Sequence, residues 1–168
     1  MKVAIIGYSG SGKSTLADFL GKKFEIPVLY LDRVHWLPGW KERPLEEKSN
    51  MVQSFLYEND SWVIDGNYTK LYQERRMQEA DQIIFMNFSR FSCFYRVWKR
   101  YLNYKGKSRE SMTEGCPEKI DWEFICWILH EGRNHKHKKH YQSIVRQFRD
   151  KTVIINNQRQ LTIFMKSV

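Results

Sequence analysis

Residues 7–15 read GYSGSGKST and set Gly7, Gly12, Lys13 and Ser14 at the spacing G-x-x-x-x-G-K-[ST]. Small residues at Gly7, Ser9, Gly10, Ser11 and Gly12 let backbone N–H groups turn inward. A helix starting just behind them adds positive potential, so the stretch is built to cradle a chain of phosphate oxygens. Lys13 then reaches the β- and γ-phosphates of ATP, Ser14 offers its hydroxyl to Mg²⁺, and Thr15 is a hydrogen-bonding or packing neighbour. A chance match in so short a chain is on the order of one in a hundred, given the frequency of Gly.

A second metal-holding oxygen belongs at the end of another strand. WVID ends in Asp65, whereas IIFMN has the same apolar form but ends in Asn87, which carries no charge. Asn67 and Tyr68 follow Asp65 in a glycine-containing loop at the same edge and are candidate substrate contacts. Asp32 ends the run VLYLD and faces the edge where ligands of such sheets bind. It is a candidate to orient or deprotonate an acceptor hydroxyl with His35 beside it, or else a turn-capping carboxylate. Trp36 and Trp40 form either the walls of a ring-binding pocket or a packed aromatic loop.

Arg90, Arg96 and Arg100 recur near helical spacing, with Arg96 and Arg100 one turn apart. Such side chains stabilise charge on a transferring phosphoryl group, and Arg109 and Arg133 are further candidates. The formal charge of +9 is concentrated here: residues 90–149 hold 14 Lys and Arg against 6 Asp and Glu, while residues 1–89 hold 11 against 12. Two readings fit, a lid over polyphosphate at about residues 90–135 or a nucleic-acid footprint. Trp98, Trp122 and Trp127, read as packing anchors, favour the lid. His135, His137 and His140 lack the spacing of a helical metal site and read as a solvated basic face.

These residues need a scaffold. Apolar runs at residues 3–7, 28–32, 62–65, 82–88 and 152–157 read as strands, the first four nearly unbroken as in parallel sheets covered on both faces. Helices are expected over Lys13–Phe24, Leu45–Glu58, residues 70–80 and, in the basic segment of about residues 90–149, two more, the final one long, over about residues 119–149, and weakened by Gly132. Alternating strand and helix imply an α/β doubly wound sheet in a single domain over residues 1–168. The odd count of three cysteines without a C-x-x-C pair suits a reducing cytoplasm, and no run is apolar for long enough to span a membrane.

With GYSGSGKST, LDRVHWLPGW, WVIDGNY and RFSCFYRVWKR in this order, the chain resembles the adenylate-kinase-like P-loop proteins known as DNA topology modulation proteins. The resemblance implies a P-loop NTPase three-layer sandwich with strand order 2-3-1-4-5 and a helical Arg-rich lid. IDGNY looks like the D-G-F-P-R element of adenylate kinases: Asp65 and Gly66 match, Asn67 and Tyr68 replace Phe and Pro, and Thr69 stands in place of Arg. In NFSR, Asn87 and Ser89 depart from the family pattern while Arg90 keeps its Arg. The expectation is a kinase of a small acceptor, possessing ATP and Mg²⁺ as cofactors; the alternative is a nucleotide-dependent regulator or nucleic-acid-associated ATPase.

Overall fold

The runs VAII, WVI and IIFM at residues 3–6, 62–64 and 83–86 are buried along their whole length, which strands achieve only inside a sheet covered on both faces. The computed structural model describes residues 1–106 and 111–168. In chain order, β1 (Lys2–Gly7) leads to α1 (Lys13–Phe24), β2 (Val28–Tyr30), α2 (Leu31–His35) and an antiparallel hairpin of β3 (Trp36–Leu37) and β4 (Lys41–Glu42). Next come α3 (Leu45–Glu58), β5 (Trp62–Asp65), α4 (Gln73–Glu79) and β6 (Gln82–Met86). Then follow α5 (Arg90–Tyr104), α6 (Trp122–Leu129), α7 (His135–Gln147), β7 (Thr152–Ile155) and α8 (Gln158–Ser167).

The parallel sheet runs β2-β5-β1-β6-β7. With the hairpin set aside, this is the expected order 2-3-1-4-5. Asp65 pairs with Ile5 on one side and with Tyr30 on the other, so the loops after β1, β2 and β5 open together on one edge. α1 packs on β1, β2 and β5 through Leu16, Ala17 and Leu20. Tyr141 of α7 stacks on Phe85 of β6 at 4.9 Å and meets Tyr8 edge-on. Among the described residues no helix is long and apolar enough to cross a membrane.

Several elements depart from the sequence reading. β2 stops at Tyr30, and Asp32 sits in the first turn of α2, whose buried Leu31 and Val34 are spaced for a helix and not a strand. The expected long helix is two. Asp121 caps α6 by accepting from Phe124 N–H, and Asn134 caps α7 by accepting from His137 N–H, with a 3-10 turn over Glu131–Arg133 between. The helix expected over residues 70–80 starts only at Gln73, because Tyr72 adopts a left-handed conformation with φ 51°. α8, begun by an Asn157 cap, was not anticipated. Trp122 is largely exposed and Trp98 about half so, the latter with a tilted ring contact to Tyr101, in contrast to the packing role expected of them.

α4 supplies a residue the motifs did not single out. Arg76 is fully buried, and its guanidinium donates to the carbonyls of Leu71 (2.8 Å), Gly66 (3.3 Å) and Tyr68 (2.8 Å). The left-handed turn at Tyr72 is what lets those carbonyls face it. Burial lowers its pKa to about 10, against the opposing pull of Asp65. Arg76 therefore fixes the whole loop after β5. Arg76→Ala leaves these carbonyls without their donor and should cost about 3 kcal/mol or more in urea denaturation, with Arg76→Lys recovering part of it; equal stability of Arg76→Ala and the native chain would refute the clamp.

Candidate active site

The phosphate loop is tight because its neighbours press on it. Gly7 has φ +144° and a Cβ there would lie 2.5 Å from the Met86 carbonyl; at Gly10, φ +78°, it would lie 2.7 Å from that of Cys93 in α5. Asn67 holds the start of the loop, accepting from Gly7 N–H at 2.9 Å and donating to Gly7 C=O at 2.7 Å, and Tyr141 Oη donates to the same carbonyl. α1 has no side-chain cap at Gly12, so its first-turn N–H groups face the loop as an anion cradle. Lys13 Nζ donates to Tyr8 C=O at 3.1 Å.

Ser14 Oγ donates to Asp65 Oδ2 at 2.6 Å, and Asp65 is almost fully buried at the end of β5. A hydroxyl and a carboxylate side by side at the cradle are hard oxygen donors. They fit Mg²⁺, which binds through one or two protein oxygens and otherwise keeps phosphates and water. Among the described residues no cluster of three or more His, Cys, Asp or Glu competes as a metal site. Asn87 instead donates to Asn156 Oδ1 at 2.8 Å, across the top of β6 and β7.

A cleft of about 1180 Å³ runs from Ser9, Lys13 and Ser14 to Asp32, His35, Trp36, Trp40 and Tyr68. Asp32 Oδ1 accepts from Tyr68 Oη at 2.7 Å. Burial, and then the Asp32 carboxylate, push the Tyr68 phenol well up, so it stays protonated and donating. The His35 ring lies tilted on Tyr68 at 4.7 Å and meets Trp36 edge-on at 4.5 Å. Lys48, buried on α3, lies 2.6 Å from Glu42 and 3.3 Å from His35 Nδ1. Burial, with Lys48 second, holds the His35 pKa below its ordinary value, so the ring is neutral and its Nδ1 accepts from the ammonium. The motifs did not reveal Lys48; its signal was a lysine one turn before Val52 and two before Leu56 on the buried stripe of α3.

The basic segment reaches this cleft from above. Arg96 donates to Ser11 C=O at 3.1 Å and to Gln158, and lies over the Phe88 ring. Arg133 donates to Phe88 C=O at 2.8 Å and stacks on Tyr8 at 3.8 Å. Arg100 is paired with the nearly buried Glu118 at 2.8 Å. Trp127 Nε1 donates to Ser9 Oγ at 3.2 Å. Thr113 donates to the carbonyls of Arg33 and Trp36, and Cys116 Sγ lies 3.2 Å from that of Leu37, so residues 113–116 sit on the β3–β4 hairpin. Thr15 lines the cleft, but Gly7, Ser11 and Arg90 do not: the Gly7 N–H is taken by Asn67, Ser11 is fully buried, and Arg90 opens α5 outside it. Arg109 lies outside the described residues.

No protein-family model matches the chain, and no curated protein matches it. Solved structures do. A deoxyadenosine kinase from M. mycoides with bound dATP is similar with a TM-score of 0.58 at 15% identity, over 99% of this chain and 98% of that one. The same kinase with the products dCMP and a flexible dCDP gives 0.54 at 16% identity over the same shares. A shikimate kinase from Bacteroides thetaiotaomicron gives 0.54 at 17% identity, over 99% of this chain and 95% of that one. The chain has the P-loop kinase fold.

The neutral His35 makes stability depend on pH. Its folded pKa lies below the ordinary 6.5, so on acidification the unfolded chain takes up the proton first. Stability present above that value is lost as pH falls through the folded pKa. His140, lowered by burial and then by His137, adds a parallel loss. In urea denaturation the native chain should lose more stability between about pH 7 and about pH 5 than His35→Gln does; identical losses would refute the assignment.

Proposed function

We propose that this chain is a Mg·ATP-dependent phosphotransferase, a single domain with residues 90–135 as its lid, that moves the γ-phosphoryl group of ATP to a small nucleoside-, nucleotide- or hydroxy-acid-like acceptor. The observation that carries the reading is the single cleft joining Lys13 and the Ser14–Asp65 pair to Asp32 between aromatic walls. The likeness to kinases named for deoxyadenosine and shikimate supports a small acceptor.

In this reading Lys13 and the α1 N-terminus hold the β- and γ-phosphates. Ser14 and Asp65 hold Mg²⁺, which when bound neutralises charge on the phosphate oxygens. Trp36 and Trp40, which line the cleft, flank the acceptor ring. Trp40 lies in the left-handed region, φ 61°, as the last residue of the tight turn that joins β3 to β4. Asp32, aligned by the Tyr68 hydroxyl, orients the acceptor hydroxyl and takes its proton as the acceptor oxygen bonds to the γ-phosphorus and the bond to ADP breaks. Arg96 and Arg133, above the loop, balance the charge.

The resemblance in motifs supports placing the chain among the DNA topology modulation proteins, in a cytoplasmic setting, with any effect on DNA indirect. Its competitor is a nucleic-acid-associated ATPase. Exposed Trp98 and Trp122 give that reading some ground, but Arg96 and Arg133 turn toward the phosphate loop and favour the lid.

A product-detected screen with Mg·ATP should yield a phosphorylated acceptor and ADP. Hydrolysis to ADP and phosphate regardless of acceptor, together with submicromolar salt-dependent DNA binding, would promote the competitor. Once an acceptor is found, Asp32→Asn should lower kcat by about 100-fold with ATP binding retained. Lys13→Ala should abolish turnover without unfolding the chain. Asp65→Asn should raise the Mg²⁺ needed for half-maximal rate while Asn87→Ala leaves it unchanged, and matching Mg²⁺ titrations would refute the metal assignment.

A further inference from the structure

The cleft holds a buried cation that the phosphoryl transfer described above does not use. Lys48 is 4% exposed and lines the cleft wall beside His35 and Glu42. Two local penalties attach to that placement. An ammonium out of water must be paired, and Lys48 ends the first turn of α3, where the helix dipole favours anions over cations. Glu46 and Glu47 of the same turn are exposed, and Glu47 goes to Arg43 at 3.7 Å. The ammonium turns instead to Glu42 at 2.6 Å and to His35 Nδ1 at 3.3 Å.

The pair is lopsided. The lysine side chain is 5% exposed and the glutamate side chain 63%. Glu42 can return to water at little desolvation cost, whereas a buried Lys48 left without an anion is strongly disfavoured. Glu42 also belongs to a hairpin of two-residue strands, in which it pairs with Trp36. An anion that took its place would therefore lie next to a wall of the acceptor pocket. His35 joins the two ends of that pocket, since the carboxylates of Asp32 and Glu42 and the Lys48 ammonium all act on its ring.

We infer that Lys48 sets acceptor specificity by recognising an oxyanion of the acceptor, a carboxylate or a phosphate, which it takes in exchange for Glu42. The inference rests on the cleft being the acceptor site of a phosphotransferase, as proposed above, and it narrows the acceptor to a nucleotide- or hydroxy-acid-like molecule. A neutral nucleoside has no charge to offer in place of Glu42. Asp32 then addresses the hydroxyl of the acceptor and Lys48 its anionic group.

Titration of the full chain with inorganic phosphate and, separately, with acetate at constant ionic strength, followed through the His35 ring signals by NMR, tests this. At least one anion should shift those signals saturably, and the tighter of the two tells phosphate from carboxylate. Lys48→Met should abolish the response. Glu42→Gln keeps an oxygen for the ammonium but removes the competing charge, so it should tighten binding by about 3-fold or more. A pair that merely staples the hairpin to α3 predicts the reverse, because its loss would loosen the site. Should Lys48→Met fail to fold, the exposed Glu42→Gln carries the test. No saturable shift with either anion, a response kept in Lys48→Met, or binding no tighter in Glu42→Gln would overturn the assignment. The kinase reading falls separately: saturable anion binding with no phosphoryl transfer to any acceptor would leave the Lys48 site standing without it. Transfer to a neutral nucleoside with a KM indifferent to Lys48→Met would do the opposite.

Discussion

The site depends on the parallel pairing of β1 with β5. That register sets Asp65 opposite Ile5, two residues before the phosphate loop begins, and so delivers a carboxylate to the hydroxyl of Ser14 at the head of α1. A shift by one residue would turn Asp65 to the other face of the sheet, because side chains alternate. The buried side chains of Trp62, Val63 and Ile64 leave no such slack. Everything after β5 is then tied to the same place: Asn67 to Gly7, Tyr68 to Asp32, and the loop carbonyls to Arg76. The loop after β1 and the loop after β5 thus share one support.

How much of this was legible follows from how local each signal is. The phosphate loop, α1, α3 and β5 are written in short-range patterns, and Lys13–Phe24 and Leu45–Glu58 emerge with the expected ends. Strand order rested on resemblance to known proteins, since pairing partners are distant in sequence. VLYLD reads as a strand through Asp32 because the run is apolar, yet only the burial of Leu31 and Val34 reveals the helical turn. Arg76 and Lys48 were invisible for a different reason. A buried arginine among carbonyls and a buried lysine beside a neutral histidine look in sequence like ordinary surface charges, and only the fold removes their solvent.

α5 shows what periodicity can and cannot tell. The alternation of arginines and aromatics announces a helix with two distinct sides, but it does not say which side faces the core. Gly10 answers the question: its bare backbone allows the Cys93 carbonyl to approach so closely that a methyl group could not fit. The close approach commits the Cys93, Val97 face inward and turns Phe91, Tyr95, Trp98 and Leu102 out. A small residue in the phosphate loop thereby fixes the orientation of a helix more than eighty residues later.

The cations around the loop are not equivalent. Lys13 rests on the Tyr8 carbonyl, Arg96 on that of Ser11 and Arg133 on that of Phe88, all neutral acceptors. A hydrogen bond with one ionised partner is already stronger than a neutral one, and an anionic acceptor adds a Coulomb attraction to the cation that a carbonyl lacks. Exchange of a carbonyl for a phosphate oxygen would therefore be favourable for these three, and each contact already orders its side chain beside the loop, so the exchange would cost little entropy. Arg100 differs. Its partner Glu118 is already anionic and almost buried, so leaving it would strand a carboxylate in a poorly solvated site. Arg100 thus ties α5 to the stretch that carries Glu118, while Lys13, Arg96 and Arg133 rest on neutral acceptors beside the loop.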